Sequence, residues 1–378
     1  MLKIKELETP CLVLNRSKVQ RNITTIEQRL ARLGASLRPH GKTAKCIDVI
    51  RMLAPQHQKR ITVSTLKEAE YFFSHDITDI LLAVGITPSK LPRLKNLIEQ
   101  GAQLTIILDS IEQVVFVSQY AAQHDLNIKV LIEIDCDGER AGIPWDDDQL
   151  LAVGRALIAA PGVTPIGIMT HAGGSYHCKT PEQMIQMAEQ ERTAAVKSAQ
   201  RLTDLGIHTE VISVGSTPTA LFAENLEGIT EVRAGVFMFN DLVMAGLGVC
   251  HFDDIALTVL TSVMGRHTAK QRLLVDAGWM ALSRDRGTAS QLVDYHYGAV
   301  ADEHYNQIRC LSVNSTNQEH GIIECQSQQA SQFRLLFVGT LLHVFPNHAC
   351  ATAAMHDRYY VTDDGVTISD VWHRVNGW

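Results

Sequence analysis

Along the 378 residues the rhythm of apolar and polar positions changes once, and the change divides the chain. Up to about Leu247, short apolar runs alternate with longer stretches of helical period. Thr9-Pro-Cys-Leu-Val-Leu14 reads as a strand. Val19, Ile23, Ile26, Leu30 and Leu33 then recur at spacings of four and three, a helix begun by Asn15 or Ser17 and stopped by Gly34. Leu37–Lys42 is a second short strand, followed by a helix through Ile47 and Met52 that ends near Pro55. The alternation continues with Ile61–Ser64, Asp79–Val84, Leu104–Leu108, Ile128–Asp135, Ile166–Thr170, Val211–Val214 and Glu231–Arg233. Thr65-x-x-Glu68 is a capping box, and Thr180-Pro181 opens a long helix that Gly206 closes.

Parallel strands need crossover helices, so eight strand–helix alternations predict an α/β fold, a (β/α)8 TIM-like barrel. Beyond Leu247 helical period is largely lost. Ile255–Gly265, Arg272–Val275, Gln307–Val313, Gly321–Glu324 and Arg334–Phe345 read as strands joined by short turns. The expected division is a barrel over 15–246 and a C-terminal mostly β domain built from 247–378 with 1–14.

Composition narrows the class. With 46% hydrophobic and 20% charged residues the chain is an ordinary globular protein. A net charge of −7 and no basic run argue against nucleic acid or an anionic membrane as partner. The first residues are too polar for a signal peptide, and no apolar run reaches membrane-spanning length. Eight cysteines without a C-x-x-C pair suit a cytoplasmic location.

Barrel enzymes work at the C-terminal ends of their strands, so the residues just past each strand matter most. In Leu37-Arg-Pro-His-Gly-Lys-Thr-Ala-Lys45, strand alternation places Arg38, His40 and Lys42 on one face. Arg38 and a protonated His40 would lower the pKa of Lys42, as a nucleophilic amine requires. Lys45 falls in the first turn of the next helix and points elsewhere. A solvated basic loop is the alternative for this stretch. Other tips carry Arg140, then His171-Ala-Gly-Gly-Ser-Tyr176-His177, then Gly215-Ser216-Thr217-Pro-Thr219, then Arg233-Ala-Gly235-Val236. The third resembles an anion cradle of backbone N–H groups. A lysine, an arginine, a stackable histidine and such a cradle on one rim suit pyridoxal phosphate.

In Pro346-Asn-His-Ala-Cys350, at the end of a predicted strand, the i, i+2 spacing puts His348 and Cys350 on one side. Thiolate with imidazole favours zinc, and two protein ligands leave coordination positions open for chemistry. The spacing alone leaves a packing role open.

Taken together, Arg38–Lys45, Thr170-His-Ala-Gly173, Val214-Gly-Ser-Thr-Pro-Thr219, Glu231-Val-Arg-Ala-Gly235, Asp276-Ala-Gly-Trp279, Gln318-Glu-His-Gly321 and Pro346–Cys350 carry a resemblance over nearly the whole chain. It is to fold-type III pyridoxal-phosphate enzymes of alanine racemase-like fold, in their D-threonine aldolase / D-serine dehydratase branch. The resemblance implies that Lys42 binds the cofactor and His171 stacks on its ring. Ser216, Thr217, Gly235 and Val236 would hold phosphate, Arg140 would lie near the phenolic oxygen, and Arg233 near the ring nitrogen. Tyr176, Trp279, Gln318, His320, His40 and His177 become candidate pocket residues, and Asp276 with them. Gly41 and Ala44 stand where relatives carry larger groups, which predicts a wider rim beside Lys42. The branch also carries a metal pair at His348 and Cys350, with cysteine accompanying the dehydratases.

The implied activity is therefore a zinc- and pyridoxal-phosphate-dependent dehydratase of D-3-hydroxy amino acids such as D-threo-3-hydroxyaspartate or D-serine. Lys42, His348 and Cys350 would be its catalytic residues. A metal-dependent retro-aldolase giving glycine and an aldehyde is the alternative, with His177 or His320 as base. A racemase or an idle cofactor carrier ranks lower. Relatives build the site at a subunit interface, so a homodimer is expected, with a small D-amino acid as substrate. Arg284 and Arg286 are candidates for that interface or for a substrate carboxylate.

Overall fold

The computed structural model describes residues 2–325, 333 and 335–378. They form two compact units: Met1–Thr24 with Val236–Asn376, and Thr25–Gly235 with Gly377–Trp378. Strand β1 (Cys11–Asn15) leads into the helix Arg16–Arg32. The Asn15 side chain accepts the Lys18 amide at 3.0 Å, and Gly34 turns the chain with φ at 71°. Val19, Ile23 and Ile26 on its apolar stripe have no exposed surface, each contributing about 2 kcal/mol of hydrophobic stabilisation.

The eight expected barrel strands are all present. They are β2 (Ser36–Pro39), β3 (Arg60–Val63), β4 (Asp79–Leu82), β5 (Gln103–Leu108), β6 (Ile128–Asp135), β8 (Val163–Thr170), β9 (Val211–Val214) and β10 (Glu231–Ala234). A short strand, β7 (Ile143–Pro144), pairs beside β6. The order β2-β10-β9-β8-β6-β5-β4-β3 is parallel throughout, and a parallel bridge between His40 and Thr62 joins the two ends into a ring. At that seam the Gly41 amide donates to the Thr62 carbonyl at 2.8 Å, and on the other side of the same strand end the His40 amide donates to the Ala234 carbonyl of β10 at 2.7 Å. A Cβ on Gly41 would lie 2.6 Å from the Phe72 ring. The small residue thus makes room for Phe72, and Ala44 is wholly buried, so neither widens the rim as expected.

In the other unit β1 joins an otherwise mostly antiparallel sheet. Its further strands are β11 (Leu257–His267), β12 (Arg272–Val275), β13 (Ala299–Ala301), β14 (Gln307–Thr316), β15 (Gly321–Cys325), β16 (Leu341–Phe345), β17 (Arg358–Thr362) and β18 (Ile368–His373). The order β12-β15-β14-β13-β16-β11 closes on itself through the β11–β12 pairing, and β1, β17 and β18 continue from β11. Arg334, where a strand was expected to start, lies outside the described residues. Among those residues, no helix is long and apolar enough to cross a membrane.

Arg38 faces the barrel interior but serves the fold. Its Nε donates to Glu231 at 2.7 Å, and its two terminal nitrogens reach the Asp79 carboxylate at 2.9 and 3.2 Å. Ser213 donates to the second Glu231 oxygen at 2.7 Å. Burial opposes the charge on Glu231, yet the Arg38 guanidinium holds its pKa below the ordinary carboxylate value. That contribution to stability is full above about pH 4.5 and is lost as pH falls through the depressed value. Glu231→Gln should cost about 3 kcal/mol in urea unfolding at neutral pH, because it strips one partner from a buried pair. The gap to the wild type should close in acid.

Candidate active site

The seam delivers Lys42 to the C-terminal rim of the barrel unit, three residues past β2, with its side chain exposed. Lys45 lies before the next helix, in the left-handed region at φ 47°, and its Nζ pairs with the buried Glu68 at 3.2 Å. It points elsewhere, as expected, although it is not part of a helical turn. Burial, together with the charges of Lys42 and Arg233, drives the pKa of His40 well below its usual value. Its ring is therefore neutral. With Arg38 committed to Glu231 and Asp79, neither residue supplies the charge expected to tune Lys42.

His171 follows β8 directly. Its Nδ1 lies 2.8 Å from the Gly215 carbonyl, which can only accept, so Nδ1 carries the proton. Burial pushes its pKa down to about 3, with the Lys42, Arg140 and Arg233 charges acting in the same direction. The imidazole is neutral and Nε2 is a bare lone pair. Gly215 has φ at 140°, and a Cβ there would lie 2.0 Å from the Arg233 carbonyl oxygen. Glycine alone fits this approach.

Ser216 caps the six-residue helix Thr217–Phe222, accepting the Thr219 amide at 3.2 Å, and Ser175 lies 3.1 Å away. Ser216 and Thr217 are buried. Past β10, a Cβ on Gly235 would lie 2.8 Å from the His40 carbonyl oxygen, and Val236 begins the second segment of the other unit. Arg233 is buried and donates to Ser213 at 2.6 Å and to the Thr170 carbonyl, with Glu231, Glu191 and Glu133 countering its charge. Arg140 is exposed, Tyr176 is 38% exposed, and the His177 ring is turned to solvent 3.6 Å from Glu139. These residues suit pyridoxal phosphate: a rim amine, a neutral ring, a buried guanidinium, and two glycines where any Cβ would collide with backbone.

The remaining predicted residues lie in the other unit. β16 ends before His348, which caps the helix Ala349–Ala353, so His348 and Cys350 meet across a first helical turn instead of along a strand. Asp285 lies 2.9 Å from His348 Nδ1, and the Cys350 side chain also hydrogen-bonds the ring. Burial opposes protonation of His348, but these two partners outweigh it and lift its pKa to about 11. A cation bound by the pair would replace that proton, and a carboxylate behind the ring is the usual support of a metal-bound histidine. Asn347 clamps the turn by donating to the Asp285 and His296 carbonyls, and Asp241 accepts the Ala349 amide at 2.9 Å. Among the described residues no group of three or more His, Cys, Asp or Glu side chains forms a metal cage.

Asp285 escaped sequence reading. Its one signal is an acid between two arginines in Ser283-Arg-Asp-Arg-Gly287. Of those arginines, Arg286 pairs with Asp294 at 2.7 Å, and Arg284 sits 4.2 Å over the half-buried Trp279 ring. Gln318 and His320 are exposed on the turn whose carbonyls accept the Trp279 and Met280 amides. The Asp276 carboxylate accepts hydrogen bonds from Thr9, Thr261 and the Ser262 amide.

A parallel barrel with a lysine and a neutral histidine at its rim, accompanied by a second β unit, defines the architecture of alanine racemase-like enzymes. The sequence matches the family described as alanine racemase, N-terminal domain, over residues 14–242, and a serine dehydratase domain over 256–362. It is 44% identical to D-threo-3-hydroxyaspartate dehydratase of Delftia sp. (strain HT23), over 98% of each chain. It is 30% identical to D-serine dehydratase of Dictyostelium discoideum, over 96% of this chain and 95% of that one. A solved structure of a D-threo-3-hydroxyaspartate dehydratase mutant in the metal-free form is 42% identical, covers 100% of both chains and superposes with a TM-score of 0.93. The chain belongs to the fold-type III pyridoxal-phosphate family, in its D-threonine aldolase and D-serine dehydratase branch.

The neutral state of His171 can be checked directly. Its contribution to stability is full above the ordinary value of 6.5 and is lost as pH falls toward its own value of about 3. Nitrogen NMR of the cofactor-free protein should show one tautomer, protonated on Nδ1, with no titration between about pH 8 and pH 5.

Proposed function

We propose that this chain is a dehydratase of D-3-hydroxy amino acids such as D-threo-3-hydroxyaspartate or D-serine, releasing a 2-oxo acid and ammonia with pyridoxal phosphate and zinc. The observation that carries the reading is the contact of Cys350 with the His348 imidazole, backed by Asp285. The high identity to a dehydratase over the full chain supports it.

Bound pyridoxal phosphate supplies the electron sink that acidifies the substrate Cα–H, and zinc supplies the Lewis acid that lets the β-hydroxyl leave. Lys42 Nζ would hold the cofactor and, as a free amine, would accept the α-proton. Ser216, Thr217, Gly235 and Val236 hold phosphate, Arg140 serves the phenolic oxygen and Arg233 the ring nitrogen. His171 presents a neutral face to the ring and carries no charge that would compete with it. His348 and Cys350 hold the zinc and so position the hydroxyl, while Asp285 keeps the His348 ring in register. Tyr176, Trp279, Gln318 and His320 belong to this reading as pocket residues. Exposed Leu292 and Val293 offer apolar surface of the kind a second copy covers, in keeping with a homodimer.

Products separate this reading from retro-aldol cleavage. With D-serine, D-threonine and D-threo-3-hydroxyaspartate the expected outcome is ammonia and a 2-oxo acid, and chelation should abolish it. Glycine with an aldehyde would establish the aldolase instead. Asp285→Asn should weaken zinc binding by about 10–100-fold in competition with a chromophoric chelator, and an unchanged affinity would remove Asp285 from the site.

A further inference from the structure

The long helix Pro181–Asp204 buries the stripe Met184, Ala188, Glu191, Ala194, Ala195, Ser198, Ala199 and Leu202. One member is a carboxylate. Glu191 is 2% exposed, in a row of otherwise small or apolar side chains. A buried acid without partners would cost several kcal/mol, so its contacts need accounting for.

One Glu191 oxygen accepts two backbone amides: Ala172 at 3.0 Å, just after β8, and Gly215 at 2.9 Å, just after β9. Thr219, in the helix that follows Gly215, also hydrogen-bonds the carboxylate. These contacts bracket the rim. Ala172 is the neighbour of His171, and Gly215 precedes Ser216 and gives its carbonyl to His171 Nδ1. The Gly215 residue is therefore held from both sides, its N–H by Glu191 and its C=O by the histidine. If the Glu191 oxygen moves, the peptides carrying both the ring-facing imidazole and the cradle move with it.

We propose that Glu191 is a positioning residue for the cofactor: by tying the loops after β8 and β9 to one oxygen it sets the tautomer and placement of His171 and the geometry of the Ser216 turn. The proposal rests on the reading that His171 and Ser216 hold pyridoxal phosphate. Glu191 is buried behind the two loops. Its action is transmitted through backbone amides.

Two substitutions separate geometry from charge. Glu191→Gln keeps an oxygen at the same reach and turns its amide toward the Thr219 hydroxyl, while removing the charge. Glu191→Asp keeps the charge and withdraws the oxygen by one methylene, roughly 1.5 Å. Two quantities are to be measured on the apoenzyme: the ring nitrogen shifts of His171, assigned with His171→Gln, and the dissociation constant for added pyridoxal phosphate by absorbance titration. Glu191→Gln should match the wild type in both. Glu191→Asp should show a mixed His171 tautomer and bind the cofactor at least about tenfold more weakly, the equivalent of one lost hydrogen bond to a charged group.

The reverse pattern, with Gln impaired and Asp normal, would overturn the proposal in favour of a purely electrostatic role. A lower melting temperature in either variant, with tautomer and affinity unchanged, would overturn it in favour of plain stability. The underlying reading fails separately: if His171→Gln leaves cofactor affinity and spectrum untouched, His171 does not face the cofactor, whereas the tautomer comparison still reports on Glu191.

Discussion

The main-chain seam at His40 and Gly41 governs the barrel unit. A parallel eight-stranded ring must close between its first and second strands, and here that closure is the His40–Thr62 bridge with the Gly41 amide bonded to the Thr62 carbonyl, while the His40 amide extends the pairing with β10 at Ala234. The residue that follows has its backbone aimed by both neighbours. Lys42 follows the closure directly and stands exposed at the rim. The packing around the seam answers to the same constraint: Gly41 gives way to Phe72, and Gly235 to the His40 carbonyl.

The fold was legible because it follows from periodicity. Eight apolar runs separated by amphipathic stretches admit few arrangements, and the caps at Asn15, Thr65 and Thr180 are local signals that the structure uses as written. Thr65 shows the limit of such signals. Its hydroxyl accepts the Glu68 amide as a capping box requires, but Glu68 returns its carboxylate to Ser64 and to Lys45.

The site was legible in residue type and less so in arrangement. Alternation assigns a face and says nothing of depth. Arg38 and His40 both face inward, yet two residues along a strand are separated by about 6.6 Å. That distance takes Arg38 to the Glu231–Asp79 network while His40 reaches the rim. Asp285 and Glu191 went unread for a different cause. Each acts on a partner distant in sequence, His348 in one case and the Ala172 and Gly215 amides in the other, and no local spacing encodes such a meeting. Burial also inverts the expectation for His40. A ring expected to be protonated is neutral because the loss of water and the charges of Lys42 and Arg233 disfavour a further charge.

The ion pair between Lys45 and Glu68 has a practical consequence. Two primary amines stand three residues apart in one motif, but one is tethered to a carboxylate with 1% of its side chain exposed and the other projects into solvent. An amine-directed label applied to the cofactor-free protein therefore meets very unequal targets. The rim position becomes a chemical handle through which a probe can be installed without loosening the turn that carries it.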